Sequence, residues 1–152
     1  MRSGIGIDSH RFEAGRRLVL GGVEVPYELG LAGYSDADVL AHAIADALLG
    51  AAGLGDIGQL FPDTEAAWKD ADSMELLREV VARVREAGHE LVHVDATVML
   101  ERPKLAPHRA AIVASLAAVL GSVSVKATTG EGMGFVGRGE GAAALAVATI
   151  TP

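Results

Sequence analysis

Segments with a two-residue apolar period alternate along this chain with longer stretches of helical composition, and that alternation limits the folds open to it. Gly4 to Phe12 reads as a strand. Successive strand residues point to opposite sides, so Asp8 and His10 share one face. Leu18-Val19-Leu20 and Val23-Glu24-Val25 flank Gly21-Gly22 as a short strand or hairpin arm, and Pro26 with Gly30 to Gly33 marks a loop. Ala37 to Ala52 is rich in Ala, Leu and Ile with no breaker before Gly50; Ser35 or Asp36 offers an N-cap, which predicts a helix. Gly53 to Gly58 ends it, and Gln59 to Lys69 reads as a long polar loop, a type of connection that often carries function. Asp72-Ser73 caps a second helix that runs to Ala87 and stops at Gly88. Leu91 to Leu100 alternates as a strand, Glu101 to Lys104 breaks it, and Ala106 to Leu120 is a third helix ending at Gly121. Val123 to Thr128 is a further strand, Thr129 to Gly139 a glycine-rich loop, and Gly141 to Ile150 a final apolar strand. Interleaving of this kind predicts an α/β (α+β) fold, a mixed β-sheet with helices covering one face.

A chain of 152 residues is long enough for one well-buried core, so one domain over 1–152 is expected. A formal net charge of -7 argues against a nucleic-acid partner, because binding a polyphosphate rests on many Lys and Arg contacts. The longest apolar stretches, such as Ala110 to Leu120, fall short of the roughly 18 residues a membrane helix needs. No signal-like apolar region follows Met1, so the cytoplasm is the expected compartment and no membrane partner is foreseen. Absence of cysteine removes thiolate ligands and nucleophiles and leaves His, Asp and Glu to hold any metal.

Asp8, His10 and His42 offer one oxygen and two nitrogens, and three protein ligands with an open fourth position is how catalytic zinc is usually held. The same spacing also fits a hydrogen-bonded core histidine beside a strand end; spacing alone does not separate the two. Asp38, His42 and Asp46 follow at helical intervals of four, which puts Asp46 in position either to orient the His42 ring or to face solvent. Lys126 to Gly139 combines five glycines with Thr128, Thr129, Glu131 and two cations, a composition suited to phosphate and to a hard ion such as magnesium, and equally to a glycine-rich hairpin. Its spacing is not that of a Walker loop. The acidic stretch Asp56 to Glu65 suits a polyol or a solvated loop, and Pro103-Lys104 either a phosphate or plain surface charge. His89, His93 and His108 have no ligand-like partners nearby in sequence.

Taken together, Gly6-Ile7-Asp8-Ser9-His10, Ser35-Asp36-Ala37-Asp38-Val39-Leu40-Ala41-His42, Gly55-Asp56-Ile57-Gly58, Phe61-Pro62-Asp63-Thr64, Lys126-Ala127-Thr128-Thr129 and Gly137-Arg138-Gly139-Glu140-Gly141 closely resemble the 2-C-methyl-D-erythritol 2,4-cyclodiphosphate synthase family of the non-mevalonate isoprenoid pathway. The resemblance runs the length of the chain. It implies a homotrimer with active sites between subunits, and a lyase-type reaction. In that reaction the 2-phosphate of 4-diphosphocytidyl-2-C-methyl-D-erythritol 2-phosphate attacks the β-phosphate of the same molecule and expels CMP. On this chain Asp8, His10 and His42 match the zinc ligands, and Glu131 the residue that helps hold magnesium or manganese on the diphosphate. Thr129 matches the hydroxyl that stabilises the transition state, with Thr128 and Gly130 beside it on the diphosphate. Asp56, Ile57 and Gly58, with Phe61, Pro62, Asp63, Thr64 and Glu65, match contacts to the methylerythritol phosphate. Leu100, Glu101, Arg102, Pro103, Lys104, Leu105 and Ala106 match the cytosine surround. Ser9, Ser35, Phe135 and Arg138 complete the substrate contacts.

Two positions depart from the family's pattern. Tyr34 stands where a His with a transition-state role is common, and a tyrosine hydroxyl can still donate a hydrogen bond. Gly130 stands where Thr or Asn is common, which removes a side-chain donor and leaves the backbone more permissive.

Overall fold

The protein is described by a computed structural model covering residues 1–62 and 71–152. Four strands open the chain: β1 (Arg2–Ala14), β2 (Leu18–Leu20), β3 (Val23–Val25) and β4 (Leu29–Leu31). They are followed by α1 (Val39–Ala52), α2 (Ile57–Leu60), α3 (Ser73–Glu86) and β5 (Leu91–Met99). A 3-10 turn at Ala106–His108 leads into α4 (Arg109–Leu120), then β6 (Val123–Thr128), α5 (Gly134–Gly137) and β7 (Gly141–Ile150). The main sheet has the order β4-β1-β7-β5-β6, with β5 and β6 parallel and the other pairs antiparallel; β2 and β3 form a separate hairpin. The expected mixed sheet with helices on one face is what the chain adopts.

Why α1 lies where it does is written in β1. Gly4 and Gly6 turn toward α1, and a Cβ on Gly6 would strike the Ala43 carbonyl oxygen and come within 2.7 Å of Ala47 N. Only glycine lets the helix backbone approach the strand this closely. The facing strand β7 contributes Ala142, Ala144, Ala146 and Ala148, all buried and all small, so α1 settles across both strands. Leu40, Ile44, Leu48 and Leu49 of α1 join Leu77, Val80 and Val84 of α3 and Ile112 and Leu116 of α4 in the core between helices and sheet. Among the described residues no helix covers the other face of the sheet, and Ile5, Ile7 and Val147 stand 61%, 65% and 42% exposed there.

Several boundaries differ from the sequence expectation. The cap of α1 is Asp38, one of whose oxygens accepts from Ala41 N at 3.0 Å, whereas Ser35 and Asp36 are drawn into other contacts described below. Asp38 also takes the Gly21 and Gly22 N–H groups at 2.9 and 2.8 Å, tying the β2–β3 turn to the helix start. Burial pushes its carboxyl up to about 6, against the opposing pull of those three donors. Leu29 to Leu31 is a strand rather than part of a loop, because Phe12 to Ala14 offer it an open edge. Ile57–Leu60 and Gly134–Gly137 are single helical turns inside stretches that read as loops.

Candidate metal centre and active site

Period two on β1 brings Asp8 and His10 to the helix side, and the close seat of α1 lowers His42 onto them. Ligand atoms of the three residues lie within 4.8 Å of one another. Asp8 Oδ2 is 2.8 Å from His10 Nε2 and 3.1 Å from His42 Nδ1, and the two rings meet edge-on with centroids 5.6 Å apart.

The second nitrogen of each ring assigns the tautomers. His10 Nδ1 is 2.9 Å from the Ala32 carbonyl, which can only accept, so Nδ1 carries the proton. His42 Nε2 is 2.7 Å from Ser73 Oγ, and that hydroxyl donates its one proton to Asp36 Oδ1, so His42 must donate through Nε2. Neutral imidazoles held this way aim two ring lone pairs at a carboxylate oxygen. Three lone pairs converging on one point demand a positive charge there, either an added ring proton or a metal cation. The side chains themselves register this demand. Burial works to raise the Asp8 carboxyl, yet hydrogen bonds from His10 and His42 hold it down at about 2. Burial works to lower His42, yet the Asp8 carboxylate raises it above its ordinary value. One oxygen and two nitrogens with an open side therefore fit a divalent ion by geometry and by charge.

Asp46 does not orient the His42 ring. Its Oδ1 accepts from Ile57 N at 2.8 Å, so it anchors the first turn of α2. Burial raises its carboxyl, with the Ile57 donor opposing. Asp56 caps the same turn through Gln59 N at 2.9 Å, which places Asp56, Ile57 and Gly58 one turn of loop away from the end of α1. Phe61 is buried in the core with the Arg83 guanidinium over its ring at 5.5 Å, and Pro62 is half-buried beside it. Asp63, Thr64 and Glu65 lie outside the described residues. Tyr34 is partly exposed on a loop whose carbonyls at Gly33 and Ser35 are gripped by Arg16, at 3.3 and 2.8 Å. Ser35 Oγ accepts from Ala37 N and lies 3.3 Å from His42 Nε2.

A second group of expected residues gathers elsewhere. Leu100, Glu101, Lys104, Leu105 and Ala106 surround a pocket of about 190 Å³ together with Thr128, Thr129, Ala127 and Arg109, the last two of which sequence reasoning left out of the site. Glu101 faces inward to the glycine-rich loop, accepting from Gly130 N at 2.9 Å. Gly130 is there for space as much as for freedom: a Cβ would lie 2.6 Å from Gly137 N and 2.7 Å from Met133 O. Glu131 is exposed, and its φ of 54° is a conformation that a side chain rarely adopts. Thr129 Oγ1 accepts from Glu131 N at 3.2 Å, which leaves its own proton for another acceptor. Arg102 and Arg138 border a neighbouring concavity, where Arg138 pairs with Glu140 at 3.0 Å, while Pro103 follows Arg102 through a cis peptide bond.

These two groups do not meet within one chain. Asp8 lies opposite Ala144 of β7, Ala144 opposite Val98 of β5, and Val98 opposite Ala127 of β6. Three strand spacings, about 14 Å, thus separate the Asp8 position from β6. Ser9 and His10 also line a separate concavity of about 610 Å³ with Phe12, Phe135 and Glu140.

Comparisons with known proteins agree over the whole length. The model of the YgbB family matches residues 1–151. A 2-C-methyl-D-erythritol 2,4-cyclodiphosphate synthase of Salinibacter ruber is 63% identical over 99% of this chain and 98% of its own length. A solved 2C-methyl-D-erythritol-2,4-cyclodiphosphate synthase in its CDP-bound form superposes with a TM-score of 0.91 at 40% identity, covering 99% of this chain and all of that one. The bifunctional IspDF of Campylobacter jejuni superposes with a TM-score of 0.94 at 46% identity; 98% of this chain is covered, and it spans 42% of that longer one. The chain belongs to the YgbB family, together with these 2-C-methyl-D-erythritol 2,4-cyclodiphosphate synthases.

Proposed function

We propose that this protein converts 4-diphosphocytidyl-2-C-methyl-D-erythritol 2-phosphate into 2-C-methyl-D-erythritol 2,4-cyclodiphosphate with release of CMP, acting in isoprenoid precursor biosynthesis as a homotrimer. The observation that carries this reading is the convergence of Asp8, His10 and His42 lone pairs, in a chain 63% identical to a synthase of that name. Zinc at the triad, and magnesium or manganese held by Glu131, would supply Lewis acidity and charge screening for a substrate whose two phosphate groups repel each other.

The protein's own groups do the rest by position. Asp8, His10 and His42 leave one side of the cluster open for a phosphate oxygen. Glu131, held at an unusual φ, presents its carboxylate outward from the glycine-rich loop. Thr129 has a hydroxyl proton to donate to the β-phosphate, and the pocket of about 190 Å³ between Leu100, Leu105, Ala106 and Thr128 would receive the cytosine. Asp56 to Gly58 would meet the methylerythritol portion, Asp56 through its carboxylate, with Tyr34, Ser35, Phe135 and Arg138 closing around it. The nucleophile is an anionic phosphate already on the substrate, so no side chain needs to act as a general base. Holding it close to the β-phosphorus is the main contribution, as in other phosphoryl transfers.

Two features of one protomer support the trimer. Its metal half and its nucleotide half lie apart, and the open sheet face carries exposed Ile5, Ile7 and Val147. Neighbouring copies packed on that face would join one protomer's triad to the next protomer's Glu131 loop. Incubation with the cytidyl substrate and magnesium in oxygen-18 water tests the reaction. Phosphorus NMR should show CMP and a cyclic diphosphate without solvent label; a labelled, acyclic phosphate would mean hydrolysis and sink the proposal.

A further inference from the structure

We propose that Ser73 and Asp36 are positioning residues that hold His42 in the one tautomer able to ligate a metal through Nδ1. The inference rests on the reading of Asp8, His10 and His42 as a metal site, and goes beyond it by saying what selects the ligating nitrogen.

Two acceptors compete for the single proton of a neutral His42 ring. Asp8 Oδ2, 3.1 Å from Nδ1, draws the proton to the nitrogen that has to be bare for ligation. Ser73 Oγ, 2.7 Å from Nε2, draws it to the far side. A serine hydroxyl is ordinarily the weaker acceptor of the two, and here Asp36 changes that. Asp36 Oδ1 takes the Ser73 hydroxyl proton and Asp36 Oδ2 takes the Ser73 N–H at 2.9 Å. The serine is thereby gripped at two points, its oxygen lone pairs face the ring, and its donation to a carboxylate makes that oxygen a better acceptor. Ser73 is 1% exposed, so water does not substitute for it. Asp36 is itself tied to the chain ahead of α3, its N–H donating to the Ala71 carbonyl at 3.2 Å. Ser35 Oγ, 3.3 Å from Nε2, backs the same side of the ring.

Removing the hydroxyl should let Asp8 win the proton. In metal-free Ser73→Ala, neutral His42 should switch to the Nδ1–H form, donating to Asp8, and a metal must then displace that proton. The experiment has two readouts. Nitrogen-15 correlation spectra of the imidazoles, recorded on metal-free protein in mildly alkaline buffer, report the tautomer directly. Competition with a chromophoric chelator reports zinc affinity. Wild type should show His42 as the Nε2–H tautomer. Ser73→Ala should show the Nδ1–H tautomer and bind zinc about 10- to 100-fold more weakly, the usual cost of losing a partner behind a ligating histidine. Ser73→Thr, which restores the hydroxyl, should recover both. Unchanged tautomer and affinity in Ser73→Ala would overturn the proposal. If circular dichroism shows that Ser73→Ala does not fold, Asp36→Asn carries the same two readouts, and indifference of both there would overturn it equally. Zinc binding absent from wild type would instead overturn the metal site and the proposal with it.

Discussion

One Asp8 oxygen lies 2.8 and 3.1 Å from two imidazole nitrogens, and the pH behaviour of the metal-free protein follows from that arrangement. Its folded carboxyl sits at about 2 against an ordinary 3.8. A depressed acid contributes stability that is present above the unfolded value and is lost as pH falls toward the folded one, here about 2 kcal/mol. His42 is shifted the other way: its contribution is full below its ordinary 6.5 and disappears as pH rises through the raised folded value. Both shifts describe the same ion pair and are not added. A bound metal replaces the ring proton, so the metal-loaded protein has no such loss on the alkaline side. Thermal melts with and without chelator should therefore diverge as pH rises from 6 toward alkaline values; parallel curves would mean that the triad does not bind metal. Glu131 offers a second test at this scale. Its φ of 54° costs a side chain energy that glycine avoids, so Glu131→Gly should be no less stable to urea than wild type. The same variant should need a higher magnesium concentration for turnover, and an unchanged magnesium titration would remove Glu131 from the metal-binding role.

Among the elements, the pairing of β1 with α1 decides whether the triad exists at all. Gly6→Ala would drive a Cβ into the Ala43 carbonyl, which is backbone and has no rotamer to yield. A loss of about 1–3 kcal/mol or more is expected, read from urea unfolding, along with weakened zinc binding as α1 lifts. Gly50, late in α1, is the control: its nearest neighbour would be Ile5 O at 3.8 Å, so Gly50→Ala should stabilise by about 0.5–1 kcal/mol through helix propensity. Equal effects at the two positions would refute the close-approach account. This same contact marks how far the sequence could be read. Period two put Asp8 and His10 on one face, and composition announced α1, but their meeting depends on glycines whose meaning is a distance to another element. Short pieces were hidden for a related reason. Leu29–Leu31 is a strand only because β1 offers an edge, and Ile57–Leu60 is a helical turn because Asp46 and Asp56 take its first N–H groups. Ser73 reads in sequence as an ordinary helix start. Nothing local shows that its hydroxyl faces His42, 31 positions away.

At the scale of the whole molecule, the separation of the two half-sites makes a quantitative claim about mixed assemblies. On the proposed function, His42→Ala should destroy the metal half of a protomer and leave its nucleotide half intact, whereas Glu131→Gln should spare the metal half and damage the other. Each homotrimer alone should be nearly inactive if every site joins one chain's triad to its neighbour's Glu131. Mixing the two variants at equal amounts, with dissociation and reassembly, places an intact triad beside an intact Glu131 at about a quarter of the interfaces, since each requirement is met by half the subunits. Activity should then recover to about a quarter of wild type. Should both halves of a site come from one chain, every site would keep one defect and no activity would return. The exposed apolar face sets the companion condition. Ile7→Lys, placed where the side chain is 65% exposed in the protomer and packs on no helix, should leave the protomer folded by circular dichroism. A charge buried between copies is costly when unpaired, so sedimentation should show the trimer shifted to monomer. On the proposed assembly, activity should fall with the trimer rather than with the fold, because a lone protomer would keep its Asp8, His10 and His42 cluster but lack a neighbour's Glu131 loop. A monomer that retained full turnover would show that one chain holds the whole site.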